Sequence, residues 1–322
     1  MRAKFLLVLI VIDILALITG LGMGSSDVGF KDIMAWVSGD APPTIVAILK
    51  DIRLPRTLLA LSVGASLATA GCSLQALFRN PLADPYILGI SGGASSGAAL
   101  MILLGIASTI NIIFAAFLFA IFTAFIVYRL GMSDGKLPVY TILLAGVAMA
   151  SFLTGITSLL IYIAGRDMYQ VVFWIMGGFW TANWFKVKVV FVPMVLGILY
   201  MVYQSWNLNA ILMGEEHAMS VGLSVEDFKR RIIIASALLT ASAVSVSGVI
   251  GFVGLITPHA MRLLVGENHK ILLPSSILAG AAFMAFVDIP ARMITEGEVP
   301  VGIITALLGA PFFLYLLRRG EY

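Results

Sequence analysis

Ten stretches of about twenty residues run almost free of charge through this 322-residue chain, and they restrict the fold more than any other feature. Such a run spans the ~30 Å hydrocarbon core as a helix. Spans are predicted over residues 4–24, 55–77, 87–105, 110–130, 140–163, 189–206, 231–249, 250–266, 271–295 and 300–318. The last break within 231–266 is placed at Ser247-Gly248 and Gly251, because that apolar stretch is too long for one span and glycine can interrupt it. Only 11% of the residues are charged, against roughly 25% in soluble domains, too few to cover a water-facing surface. The expectation is an all-α membrane protein forming one transmembrane domain over 1–322.

The net charge of +3 does not point to nucleic acid, since the basic residues stand singly between apolar runs and read as anchors at the membrane face. The tightest basic clusters, 229–231 and 318–319, share one side when both termini are cytoplasmic, which is the expected topology. The opening run, with Arg2 and Lys4 ahead of it, resembles a signal peptide but is long enough to be a first helix. Segment 171–180 is too short to span; Trp174, Trp180 and nearby Trp184 suit headgroup depth. Cys72 is the sole cysteine, and the chain has no phosphate loop of the G-x-x-x-x-G-K-[ST] type. The glycines of Ser91-Gly92-Gly93-Ala94-Ser95-Ser96-Gly97 suit close helix packing instead.

Two interruptions of the apolar pattern carry information. The inner segment 207–230 places Met213, Ala218 and Val221 on a broken apolar face, acids at Glu215, Glu216, Glu226 and Asp227, and a turn at Gly222. Two short helices about that glycine suit either docking in a groove of a cytoplasmic partner or a solvated connector. On the outer side, Pro55 is expected in the first turn of the second span. Arg53, Arg56 and Arg292 face outward, available to a partner's carboxylates or to lipid phosphates, and Asp288 lies four residues before Arg292. Within the spans, Asp13 is an isolated acid. His217, His259 and His269 show no metal-ligand spacing, and neither a nucleophile–base pair nor a metal cage is found, which leaves transport ahead of catalysis.

RLPRTLLALSVGASLATAGCSLQALFRNPLADPYILGISGGASSGA (53–98), GFVGLITPHAMRLLVGENHKILLPSSILAGAAFMAFVDIPAR (251–292) and EVPVGIITALLGAPFFLYLL (298–317) resemble the iron-chelate and cobalamin (FecCD-type) permeases of binding-protein-dependent ATP-binding-cassette importers. The resemblance implies the ten-helix type II importer permease fold, with helices two to five and seven to ten as an inverted repeat. It implies a homodimer set in membrane lipid, two ATPase subunits beneath it and an extracytoplasmic solute-binding protein above. This chain would then hold no cofactor, ATP being bound by the partner subunits. The coupling helices fall on 212–227, with Glu215, Glu216, Ala218, Gly222 and Leu223 at the ATPase contact, and Arg53, Arg56 and Arg292 match residues that meet glutamates of the binding protein. Tyr140 and Thr141 are candidate gate residues. The cargo implied is an iron chelate (siderophore or haem), the commonest in the family, or a cobalamin-like solute. A molybdate- or tungstate-type oxyanion and an ion-coupled secondary transporter using Asp13 are the alternatives.

Overall fold

Backbone amides within hydrocarbon must be satisfied by their own helix, so apolar runs of this length become helices and their interruptions become the informative structure. The computed structural model describes residues 2–295 and 297–319, without the side chains of Arg2, Ala3, Leu316, Leu317 and Arg319; two of the predicted membrane-face anchors, Arg2 and Arg319, thus lie outside the described side chains. The first half contains α1 (Arg2–Gly22), α2 (Phe30–Ser38), α3 (Pro43–Ala47), α4 (Leu54–Leu77), α5 (Ile90–Leu103), α6 (Thr109–Gly131), α7 (Val139–Ile163) and α8 (Met168–Met176). The second contains α9 (Trp184–Tyr203), α10 (Ser205–Leu212), α11 (Glu215–Ser220), α12 (Val225–Ser247), α13 (Val253–Val265), α14 (His269–Ala291) and α15 (Val301–Arg319).

Each of the ten predicted spans contains one helix, but two of them are shorter than predicted. α5 has 14 residues and α13 has 13, or about 21 and 20 Å of rise, less than the bilayer core. Both follow a broken segment that replaces the missing turns. Before α5, a 3₁₀ turn over Pro85–Leu88 is capped by Asp84, whose carboxylate accepts the Tyr86 N–H at 2.7 Å. Before α13, Gly248 and Phe252 both take positive φ of 69°, where the sequence predicted a break. The two breaks meet. The Tyr86 hydroxyl donates to the Ile250 carbonyl at 3.0 Å and accepts the Ile250 N–H at 3.2 Å, so irregular backbone at depth is satisfied inside the protein. Each half of the repeat therefore runs long helix, break, short helix, and α4 and α12 run in opposite directions.

α4 lies at the centre with nearly all of its residues buried and α12 and α14 beside it, whereas few residues of α7 and α9 are buried and these helices form the periphery. Small residues set the central spacing. A Cβ on Gly64 would strike the Gly280 carbonyl of α14, and one on Gly71 would strike that of Gly254 in α13. The 91–97 glycines act likewise: Gly93 and Gly97 bring α5 against the carbonyls of Phe119 and Ala115 in α6. Pro55 takes the second position of α4, in its first turn as expected, although the helix does not begin afresh there: it continues from α3 through a π-helical stretch at Ile48–Arg53 in one run, Pro43–Leu77.

Candidate functional site

The end of the bundle where α4 begins and α14 finishes is built on buried charge. Arg56 is 7% exposed; its Nε lies 3.1 and 3.0 Å from the two Asp288 oxygens and its Nη2 lies 2.8 Å from Oδ1. Its Nη1 donates to Glu298 Oε1 at 2.9 Å. Arg292, 3% exposed, pairs with the other Asp288 oxygen at 3.3 Å. Two guanidinium groups and two carboxylates thus form a neutral cluster, dry at Asp288 and partly open to water at Glu298. Arg53 is separate: its guanidinium donates to the carbonyls of Leu21, Val28 and Ser26 and to the Ser26 hydroxyl, fastening the segment after α1.

This placement corrects the expectation of outward-facing arginines. Arg53 is consumed by carbonyls of its own chain, and Arg56 and Arg292 point at internal acids. Glu298, which pattern reading passed over within the EVPVG stretch, completes the cluster. It sits at φ +55°, a costly conformation for a side-chain-bearing residue, and its Oε2 makes no hydrogen bond among the described residues.

At the opposite end, α11 is a six-residue helix between two glycines at positive φ, Gly214 at +120° and Gly222 at +86°. Gly222 N–H bonds the Met219 carbonyl and Leu223 N–H bonds that of Ala218, both at 3.0 Å, which is a Schellman stop. Ala218 is fully buried against the bundle, whereas Met213 and Val221, read from sequence as sharing its face, are exposed with Met219, Glu216 and His217. Glu215 is not a free surface acid. Its carboxylate pairs with Lys229 at 2.9 Å.

Lys229, read as a simple membrane anchor, is the hub of this end. Its buried Nζ also reaches Glu226 at 3.0 Å and the Leu137 carbonyl at 3.4 Å, while Leu137 N–H donates to the second Glu226 oxygen at 2.8 Å. The i,i+3 spacing of Glu226 and Lys229 was the available signal; the link to Leu137 had none. α11 and the head of α12 are thereby tied to the residues that open α7. There Tyr140 is 74% exposed, and the Thr141 hydroxyl is committed to the Gly131 and Pro138 carbonyls.

Asp13 faces a cavity lined by Leu61, Ser62, Phe191, Met194 and Ala281, with no second ionisable group in its wall. His269 bonds Asn209 through both its amide and its ring, and His259 is buried. Among the described residues, no group of acids, histidines and cysteines is spaced to hold a metal.

The FecCD transport family matches residues 9–319. The cobalamin import system permease protein BtuC of Halobacterium salinarum is 45% identical over 280 residues, 87% of this chain and 76% of that protein. The molybdate import system permease protein MolB of Haemophilus influenzae is 36% identical over 327 residues, 98% of this chain and 97% of that protein. A solved metal-chelate type ABC transporter in an inward-facing conformation superposes with a TM-score of 0.89 at 35% identity, over 98% of this chain and 99% of that one.

Proposed function

Given that the chain belongs to the FecCD transport family, and is thus a multi-pass permease subunit of an ABC importer rather than an enzyme, we propose that two copies enclose the pathway for a cobalamin or an iron chelate. In this reading both termini are cytoplasmic, α11 docks in a separate ATPase, and the arginine end receives a solute-binding protein. The observation that carries the proposal is α11, a short helix fixed on its inner side by Ala218 and Lys229 while presenting Met219, Val221 and Glu216 outward. Such a face fits a groove on a soluble partner. Motion imposed on α11 passes through Lys229 and Leu137 to the head of α7, where Tyr140 serves as the gate side chain and Thr141 fixes the turn below it.

Docking at the arginine end works by exchange. Carboxylates of the binding protein displace Glu298 from Arg56 and join Asp288 at Arg292, while Arg53 holds the outer loop in shape. The exposed α7 face supports a bulky, partly apolar cargo, since Val139–Ile163 carries no charged side chain. An oxyanion is the second reading, supported by the likeness to MolB. An ion-coupled carrier is disfavoured by the isolation of Asp13.

Deleting residues 215–222 tests the ATPase contact. The variant should no longer co-purify with the ATPase, and a stable complex with normal ATP turnover would refute the assignment. Vesicle uptake of labelled cobalamin, ferric siderophore and molybdate, each with the cognate binding protein, distinguishes the cargoes. Uptake without the ATPase would instead favour ion coupling.

A further inference from the structure

Beside the arginine end, between α6, α8 and the start of α9, lies a cavity of about 310 Å³ that the transport reading leaves unused. Asn183 caps α9, accepting the Lys186 N–H at 3.0 Å, and this turns Lys186 inward until it is 7% exposed. Its Nζ donates to the Thr181 hydroxyl at 2.6 Å and to the Val246 carbonyl at 3.0 Å. An ammonium has three N–H donors, so one remains for the cavity that Lys186 lines.

Arg56, Arg292 and Lys229 are each buried against carboxylates, but Lys186 forms no ion pair among the described residues. A desolvated cation with only neutral partners favours an anion supplied from outside. The other walls specify the rest of that ligand. Tyr169, Phe173, Trp174 and Trp180 line the same cavity, with the Phe173 and Trp180 rings 4.3 Å apart. Trp184 donates its indole N–H to the Lys50 carbonyl, and tryptophans grouped in this way suit a place at headgroup depth.

We propose that this cavity binds a phosphate-type oxyanion on Lys186 with an apolar body against the aromatic walls, the chemistry of an anionic phospholipid headgroup. A free oxyanion shares the charged half of that chemistry and is the other source. The test uses the permease–ATPase complex in detergent, following thermal unfolding with added phosphatidylglycerol, phosphatidylcholine or inorganic phosphate. Phosphatidylglycerol should raise the midpoint where phosphatidylcholine does not. Lys186→Met should weaken that response about tenfold in lipid concentration, the scale of one charge-assisted hydrogen bond, while Lys186→Arg retains it. A shift with inorganic phosphate that Lys186→Met abolishes would assign the site to a free anion. Equal responses from wild type and Lys186→Met would overturn the proposal. Should Lys186→Met fail to fold, native mass spectrometry of the wild-type complex in equal amounts of the two lipids decides: preferential retention of phosphatidylglycerol supports the site, and no preference overturns it.

Discussion

The two ends of the bundle use the same device in different surroundings. At one, Arg56 gathers Asp288 and Glu298; at the other, Lys229 gathers Glu215 and Glu226. The difference lies in the acids. The Asp288 side chain is 1% exposed, whereas those of Glu215 and Glu226 are 37% and 36% exposed. Removing a partner from a dry pair strands a charge, while half-wet acids recover water when their lysine is lost. The arginine end is therefore a structural lock with one loose member, Glu298, and the lysine end is a hinge pin whose loss alters transmission more than stability.

The largest expected effect follows from breaking the lock. Asp288→Ala leaves Arg56 and Arg292 facing each other with only Glu298 to compensate, and should cost about 3–5 kcal/mol, the usual range for stranding a buried charge. Thermal unfolding in detergent reads this as a strongly lowered midpoint. A shift no larger than that of a surface substitution would mean that water already reaches the cluster.

Next in size is Lys229→Met. Its stability cost should stay near 1 kcal/mol, because both acids are partly solvated. The main effect is expected in transport: ATP hydrolysis by the reconstituted importer continues while solute moved per ATP falls severalfold. An unchanged ratio would show that α11 moves α7 by another route.

The sequence made one end far more legible than the other. Length and hydropathy located the ten helices that lie within the predicted spans, and Gly248 announced the break before α13. α5 and α13 were overestimated because apolar composition does not distinguish a helix from a buried 3₁₀ turn such as Pro85–Leu88. At the lysine end, Gly222 and the acid–lysine spacing are local in sequence, so a short helix with a glycine stop was readable, but the second short helix expected after Gly222 is instead the head of the 23-residue α12. At the arginine end, Arg56 meets partners 232 and 242 residues away. No local pattern states whether an arginine near a helix start turns toward water or toward an acid of another helix, so its direction was misread.

The smallest effect concerns Glu298 and separates a lock from a latch. Its carboxylate holds one edge of Arg56, and its side chain is 27% exposed. Glu298→Gln keeps the shape and the Asp288 pairs, so stability should change by about 1 kcal/mol or less. The cluster, however, goes from neutral to singly positive and becomes more attractive to incoming carboxylates. If Glu298 holds the place of a partner's acid, the variant should bind its solute-binding protein severalfold more tightly, mostly through faster association at low salt. Surface-immobilised importer titrated with that protein measures this directly. Unchanged affinity would make Glu298 a fixed part of the lock and move the docking surface away from Arg56; weaker affinity would mean that Glu298 itself is the contact, met by a basic group of the partner.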